Sequence, residues 1–391
     1  MNEGETLVER VRRRLADSRE TPSPARLAAA VRAEGGLPSD GSPLVALERL
    51  EDEVLGAGPL APLLRDPAVT DVLVNGPDEV WVDRGHGLER TGIEFADDLA
   101  VRRLVQRLVT PTGRRCDASQ PWVDARLPDG TRLHAVLAPI ARGGSCISLR
   151  TLRRQSLSVA DLVATQSLAA LMGQLLSAVM NARLSVVVSG GTGTGKTTLL
   201  AALLALAAPD ERIVIVEDSA ELEPHCPHVV ALEARPPNAE GAGAVPLRDL
   251  VRQALRMRPD RLVVGEMRGA EVVDVLAALN TGHEGGLTTV HANAAAEVPP
   301  RLEALALAAG LDRPAIHAQL AAGVHVVIHL RRDRDGRRYV AELAALQRGS
   351  DGLANVVAAV RSDGRRASAG PGWAQLSGLL AGRGIRVPAL P

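Results

Sequence analysis

A glycine-rich segment at residues 190–198 is the strongest chemical signal in the sequence. It fits the pattern G-x-x-x-x-G-K-[ST] and reads Gly190-Gly191-Thr192-Gly193-Thr194-Gly195-Lys196-Thr197-Thr198. Glycines let the backbone curl around a phosphate with its N–H groups pointing inward. Lys196 can reach the β- and γ-phosphates of a nucleotide, and the Thr197 hydroxyl can hold Mg²⁺. The segment therefore predicts a binding site for ATP and Mg²⁺.

Two carboxylates and one histidine follow later apolar runs and could act on the γ-phosphate. They are Glu217, Glu266 and His291. Hydrolysis needs a positioned water and neutralised phosphate charge. Either Glu217 or Glu266 could hold Mg²⁺ through water or polarise the attacking water, and His291 could sense the γ-phosphate. The alternatives are ordinary strand-end acids that face solvent and a structural histidine.

The elements that must position these residues are parallel strands. Strand-like runs alternate with helical stretches between residues 151 and 349, and the runs are 185–188, 212–216, 262–264, 287–290 and 324–330. Such alternation predicts an α/β domain with a mainly parallel sheet and helices on both faces. In a doubly wound sheet the carboxyl ends of the strands meet near the phosphate loop. Glu217, Glu266 and His291 are expected there.

The remaining segments predict a smaller domain and two appendages. Residues 51–150 contain short strand signals, one helix and a Pro-Asp-Gly turn, which predict an α+β N-terminal domain. Residues 1–50 predict a helical arm and linker, in which Leu7, Val11 and Leu15 share one helix face. Arg10 and Arg12–Arg14 surround that stripe and are interpreted as a solvated helix face, with a docking arm for a membrane partner as the alternative. Residues 350–391 are rich in Gly and Ala and predict a weakly ordered tail.

Composition narrows the class of protein. The 391 residues carry a net charge of −1 and include only three Trp, one Tyr and one Phe. A protein that tracks DNA directly needs a basic groove and stacking platforms, so no direct nucleic-acid contact is expected. Three widely spaced cysteines suggest a reducing compartment. The N-terminus lacks a signal-peptide core and no apolar run reaches ~20 residues, so we expect a cytoplasmic protein.

Four segments in order resemble the secretion-superfamily traffic ATPases, and the similarity is closest to the TadA/CpaF-like branch that powers tight-adherence and Flp-type pili. They correspond to that family's Walker A, Asp box, Walker B and His box, at residues 190–198, 216–222, 255–269 and 281–293. The resemblance covers about residues 55–345. It also extends to the type IV secretion branch, while the tetracysteine insert of many type II relatives is missing.

The resemblance implies a RecA-like P-loop ATPase domain preceded by the smaller domain, in a homo-oligomer that is a hexamer. It implies Glu217 and Glu266 as the acidic pair, with Mg²⁺ held through Thr197 and Glu266, and His291 as the His-box residue. It implies that N-terminal arginines contact the nucleotide phosphates. Arg132 and Arg150 are the first candidates, followed by Arg126 and Arg142. The partner it implies is an inner-membrane platform protein, which would keep the protein peripheral at the inner face of the cell membrane.

Three functions compete on these grounds. The first is an ATP-hydrolysing motor for a Flp or tight-adherence type pilus or for protein secretion across the inner membrane. The second is a DNA-translocating ATPase of the conjugal transfer type, against which the near-neutral charge argues. The third is a nucleotide-binding scaffold without hydrolysis, against which the intact Lys196, Thr197 and Glu266 argue.

Overall fold

The structure is a computed structural model that describes residues 10–11, 13–15, 24–34, 50–85, 87–151, 157–237 and 241–389. The chain divides into two compact units, residues 1–153 and 154–391. No helix in these described ranges is both long and apolar enough to cross a bilayer.

The first unit is built on a six-stranded sheet. Its elements are α1 (Pro24–Ala33), α2 (Ala61–Arg65), β1 (Asp71–Asn75), β2 (Val80–Asp83), β3 (Leu88–Arg90), α3 (Asp98–Val109), β4 (Trp122–Arg126), β5 (Arg132–Val136) and β6 (Cys146–Arg150). The strand order is β3-β2-β1-β6-β5-β4, and every neighbouring pair is antiparallel. One face of the sheet packs with α3 around an apolar core. Alternation along each strand leaves the polar residues on the other face.

The amino-terminal arm is helical where the structure describes it. Residues 10–11 and 13–15 are helical, and α1 follows. Val11, Leu15 and Leu27 are buried in a small apolar cluster that also includes Leu50. Leu7, the first residue of the predicted stripe, lies outside the described residues. The described part of the stripe is therefore covered by other apolar side chains, while Arg13 and Arg14 beside it are exposed.

The second unit is a nine-stranded mixed sheet with helices. Its elements are α4 (Val159–Ala164), α5 (Ala170–Asn181), β7 (Val186–Ser189), α6 (Lys196–Leu204), β8 (Ile213–Glu217), β9 (Val229–Glu233), α7 (Leu247–Ala254), β10 (Arg261–Val264), α8 (Glu271–Leu279), β11 (Leu287–Val290), α9 (Val298–Ala308), α10 (Arg313–Gly323), β12 (Val326–Arg332), β13 (Arg338–Arg348), β14 (Ala354–Ser362), β15 (Ala367–Ala369) and α11 (Trp373–Gly382).

The sheet has a parallel half and an antiparallel half. The order is β15-β14-β13-β12-β7-β11-β10-β8-β9. The six strands from β12 to β9 run parallel, and β13, β14 and β15 continue the sheet in antiparallel fashion. Strands β7, β8, β10 and β11 are buried along their whole length, as expected for parallel strands covered on both faces. Because β7 lies between β12 and β11, the segment after β7 is flanked by the ends of both.

The predicted weakly ordered tail is wrong. Residues 354–362 and 367–369 form β14 and β15, and residues 373–382 form α11. Leu376 and Leu380 are fully buried in the same apolar core as the parallel strands. The high Gly and Ala content concealed these elements because small residues give weak periodicity. Their order comes from burial against the sheet rather than from local propensity.

A β-bulge interrupts the pairing of β12 with β13. His329 pairs with Glu342 and Leu330 pairs with Val340, so Ala341 is the extra residue on β13. The bulge keeps the residues before and after Ala341 in register with β12.

Replacing Leu376 with alanine tests whether the carboxyl-terminal helix belongs to the core. Loss of this buried side chain is expected to lower the free energy of unfolding by about 2–5 kcal/mol, because the cavity in the core cannot fully collapse. Leu307→Ala, at a position that is 47% exposed on α9, is the matched control and should change stability much less. Thermal unfolding measured by scanning calorimetry compares the two variants. Equal, small effects would contradict this placement of α11.

Candidate nucleotide-binding site

The loop between β7 and α6 adopts a backbone that requires glycine. Gly190, Gly193 and Gly195 have φ values of 153°, 70° and 93°. A Cβ atom on Gly190 would lie 2.6 Å from Thr194 Oγ1 and 2.9 Å from the Leu330 carbonyl oxygen, which leaves no room for a side chain. Gly195 immediately precedes α6, so the loop runs into a helix N-terminus whose N–H groups favour an anion. The residues predicted to bind phosphate therefore form a glycine-dependent loop that leads into the N-terminus of α6, and we call residues 190–198 the phosphate-binding loop after that prediction.

The threonines of the loop differ in exposure. Thr194 is buried and its hydroxyl donates to the Gly191 carbonyl oxygen at 2.9 Å, which stabilises the loop itself. Thr192 and Thr198 are exposed. Thr197 is half-buried and its hydroxyl donates to Glu221 Oε2 at 3.2 Å. Thr197 and Glu221 together present hard oxygen atoms of the kind Mg²⁺ prefers, so the residues present fit the predicted metal.

Lys196 is buried at the centre of the loop. Its ammonium donates to the carbonyl oxygens of Gly190 and Gly191, at 3.1 and 2.9 Å, and lies 3.3 Å from His291 Nδ1. Burial lowers the pKa of Lys196, whereas the carboxylates of Glu266 and Glu221 act in the opposite direction. A buried cation beside inward-facing amides is suited to an anionic ligand.

His291 connects Lys196 to Glu266. Burial, together with the charge of Lys196, lowers the pKa of His291, so the imidazole is neutral at neutral pH. An ammonium can only donate, which makes Nδ1 the acceptor and leaves the proton on Nε2. Nε2 lies 3.2 Å from Glu266 Oε1. The end of β11 therefore links the phosphate-binding loop to the end of β10.

Glu266 is fixed from its other side by Arg268. Arg268 Nη2 donates to Glu266 Oε2 at 2.8 Å, and this hydrogen bond raises the pKa of Arg268. Buried Glu271 accepts from the backbone N–H groups of Arg268 and Gly269, at 2.6 and 2.7 Å, and so shapes the turn before α8. Glu266 is thus oriented by the Arg268 guanidinium and lies beside the His291 imidazole on a fixed backbone.

Glu217 occupies a different environment from Glu266. It is 4% exposed, and its carboxylate accepts from the N–H groups of Glu221 and Leu222, at 3.1 and 3.2 Å. A Cβ atom on Gly265 would lie 2.8 Å from Glu217 Cγ, so the glycine makes space for this side chain. The structure therefore shows Glu217 organising the loop that carries Glu221, and Glu221 is the acid that contacts Thr197.

A buried histidine joins the strands on either side of the loop. His329 Nδ1 lies 3.0 Å from Ser189 Oγ at the end of β7. His329 also bonds to the backbone of Asn293, and burial lowers its pKa. The ends of β7, β11 and β12 are thereby tied together beside the phosphate-binding loop.

The predicted N-terminal arginines form a row across the first unit. Arg126, Arg132 and Arg150 are directly opposite one another on β4, β5 and β6. Arg150 Nε donates to Asp71 Oδ1 at 2.9 Å on β1. Arg142 is exposed in the turn before β6. The row therefore places three guanidinium groups side by side, and the one on β6 pairs with a carboxylate of β1.

Comparison with known proteins agrees with the geometry of the second unit. The family described as Type II/IV secretion system protein matches residues 53–365. The chain belongs to this family. The family prediction made from the four segments is confirmed, and so is the mixed α/β class.

Individual relatives cover most of the chain. A protein of Mycobacterium tuberculosis (strain H37Rv) named for conjugal transfer is 57% identical over 310 residues, which is 78% of this chain and 88% of the relative. The conjugal transfer protein TrbB of Rhizobium radiobacter is 30% identical, and the matched region covers 70% of this chain and 83% of the relative. The solved structure of the Legionella pneumophila ATPase DotB shares the fold, with a TM-score of 0.53 at 21% identity, covering 79% of this chain and 82% of that one.

Sequence reasoning missed two residues of the site. Glu221 and Arg268 lie inside segments that carried the family resemblance, yet neither was chosen. Arg268 is two residues beyond Glu266 in an extended segment, and that spacing places both side chains on one face. Glu221 had no comparable local signal, because its position depends on the loop that Glu217 holds.

Substitutions at Glu217 can distinguish an organising role from a catalytic one. Glu217→Ala should lower the stability of the protein by about 2 kcal/mol, because buried N–H groups lose their acceptor. Glu217→Gln keeps an oxygen acceptor and should retain most of the stability and of any nucleotide turnover. The same two substitutions at Glu223, which is exposed, are the matched controls. Loss of turnover in a stable Glu217→Gln variant would show that the carboxylate acts in chemistry.

Proposed function

We propose that this protein is an ATP-hydrolysing motor of a secretion or pilus-assembly machine. The observation that carries the proposal is the continuous set of contacts from Lys196 through His291 to Glu266 at a phosphate-binding loop. A loop that only binds nucleotide does not require an oriented carboxylate beside the γ-phosphate position. Membership in the family of type II/IV secretion system proteins supports a secretion machine as the assembly that the motor drives.

In the proposed mechanism each residue has one task. The amides of the loop and the Lys196 ammonium bind the β- and γ-phosphates. On binding, Lys196 exchanges its contacts with the loop carbonyl oxygens for contacts with phosphate oxygens. Glu266 orients and polarises the attacking water. His291 senses the γ-phosphate, and its contacts with Lys196 and Glu266 change with the presence of that group. Mg²⁺, when bound through Thr197 and near Glu266 or Glu221, supplies charge neutralisation for phosphoryl transfer. Arg268 and Glu271 hold Glu266 in place.

The finer assignment extends to the machine. We propose a homohexamer in the cytoplasm, peripheral at the inner face of the membrane through a platform protein, that drives a Flp or tight-adherence type pilus or protein secretion. Arg132 and Arg150 are proposed to contact nucleotide phosphates, and their facing positions on β5 and β6 support a joint role. The hexamer and the platform partner rest on the sequence resemblance.

A DNA-translocating ATPase is the second candidate. Two relatives are named for conjugal transfer, and one of them is 57% identical to this chain. Against direct contact with DNA stand the net charge of −1 and the scarcity of aromatic residues. In this second candidate function, the motor powers a DNA-transfer machine and makes no direct contact with the DNA strand.

Two substitutions test the motor. Lys196→Ala is expected to abolish Mg²⁺-dependent phosphate release, because the buried cation is lost. Glu266→Gln is expected to bind ATP with unchanged affinity and to lower kcat by about 10²–10⁴-fold, because the water is no longer polarised. Glu223→Gln serves as the surface control. Phosphate release measured against oligomer size establishes whether assembly is needed, and normal turnover by Glu266→Gln would overturn its assignment.

DNA affinity separates the two candidates. Single-stranded and duplex DNA are expected to bind weakly at physiological salt, with a Kd on the order of 10⁻⁴ M or above, as for non-specific contacts. Fluorescence anisotropy with labelled oligonucleotides, with and without ATP, measures this. Binding that is tighter than micromolar, together with ATPase stimulation by DNA, would favour the DNA-translocating function.

A further inference from the structure

The guanidinium of Arg268 lies among the acids at the edge of the site. Its Nη2 donates to Glu266 Oε2 at 2.8 Å, and the Arg268 side chain is 61% exposed whereas that of Glu266 is 16% exposed. The hydrogen bond with Glu266, followed by the charges of Glu266, Asp218 and Glu221, raises the pKa of Arg268 against the effect of burial. Arg268 is therefore within electrostatic reach of the acids that follow β8 as well as of the one that follows β10.

The same acids flank the predicted Mg²⁺ site. Thr197 Oγ1 donates to Glu221 Oε2 at 3.2 Å, so two sources of hard oxygen contact each other, and Glu266 Oε2 accepts from Arg268. Burial lowers the pKa of Lys196, and the charge of Arg268 lowers it further while Glu266 opposes both effects. The acids are thus already faced by two unit positive charges, and a divalent cation that enters must displace protein contacts and approach both of them.

We propose that the Arg268 guanidinium competes with Mg²⁺ for these carboxylates, so that the metal binds tightly only together with a nucleotide. The inference rests on the proposed function, since it requires a metal and nucleotide site at Thr197. Without phosphates, a divalent cation meets the repulsion of Arg268 and Lys196. A nucleotide brings negative charge that outweighs this repulsion, and its phosphate oxygens are metal ligands for which Arg268 does not compete.

Metal binding measured without turnover tests the competition. Mn²⁺ is the probe, because it favours oxygen ligands as Mg²⁺ does and electron paramagnetic resonance reports its free concentration. In the full chain without nucleotide, Arg268→Ala should tighten Mn²⁺ binding about tenfold, the effect of removing a unit charge a few ångströms from a divalent cation in water. With saturating ADP the same substitution should change the Mn²⁺ affinity much less. A role of Arg268 only in positioning Glu266 predicts the opposite sign, since a loosened carboxylate would bind a cation less well.

Three further variants isolate the charge of Arg268. Arg268→Lys keeps the charge and should bind Mn²⁺ like the unaltered protein, whereas Arg268→Gln should match the alanine variant. Arg301→Ala is the matched control, because Arg301 is exposed on α9 and its charge, like that of Arg268, adds to the effect of burial in lowering the pKa of His291. The control should leave Mn²⁺ affinity unchanged. Thermal unfolding of each variant checks that the fold persists, and Arg268→Gln carries the test if the alanine variant is unstable.

Three results would overturn the proposal. The first is unchanged or weaker Mn²⁺ binding by Arg268→Ala and Arg268→Gln in the absence of nucleotide. The second is an equal tightening in Arg301→Ala, which would show a general effect of charge. The third is an equal tightening in Arg268→Lys, which would show that the charge at this position does not exclude the metal.

Failure of this inference differs from failure of the proposed function. If unaltered protein binds and hydrolyses ATP and Lys196→Ala does not, the motor stands even when Arg268→Ala leaves the Mn²⁺ affinity unchanged. If unaltered protein binds no nucleotide, the proposed function is wrong and the role of Arg268 falls with it.

Discussion

The contact between the Lys196 ammonium and a neutral imidazole is the constraint on which the nucleotide site depends. A second full charge at His291 would repel Lys196 at 3.3 Å inside a largely buried site, so burial and the adjacent cation keep His291 neutral. Neutrality fixes the tautomer, and the protonated Nε2 then lies on the side of Glu266, 3.2 Å from its Oε1. The buried cation thus sets which ring nitrogen faces the carboxylate, and the hydrogen bond from Arg268 orients that carboxylate.

This constraint explains why the site needs three parallel strands side by side. Lys196 follows β7, His291 follows β11 and Glu266 follows β10, and these strands are consecutive in the sheet. Parallel pairing brings their carboxyl ends to one edge without long connections. Buried His329 holds the same sheet edge on the β12 side. It contacts Ser189 and the backbone of Asn293.

Much of this site could be predicted from the sequence because its signals are local. Lys196 lies in a contiguous pattern, and Glu266 and His291 end uninterrupted apolar runs. The division of labour between Glu217 and Glu221 could not be predicted, since it depends on which carboxylate is buried by the fold. The carboxyl-terminal elements were also missed. Leu376 and Leu380 are ordered by the packing of α11 on β13 and β14, which belong to a sheet that also contains β7, and no local window contains the whole sheet.

The bulge at Ala341 has a consequence for how chain length can vary in this region. His329 pairs with Glu342 and Leu330 pairs with Val340, so a chain without Ala341 would join these two pairs in ordinary register, and the residues on both sides would keep their β12 partners and their faces. A homologue shorter by this single residue could retain every strand and the whole apolar core. Insertion or loss of a residue at a regularly paired position of β13 would, by contrast, shift the pairing and turn every residue beyond it to the opposite face. The strand can therefore change length by one residue at the bulge without the rearrangement that the same change would cause elsewhere along it.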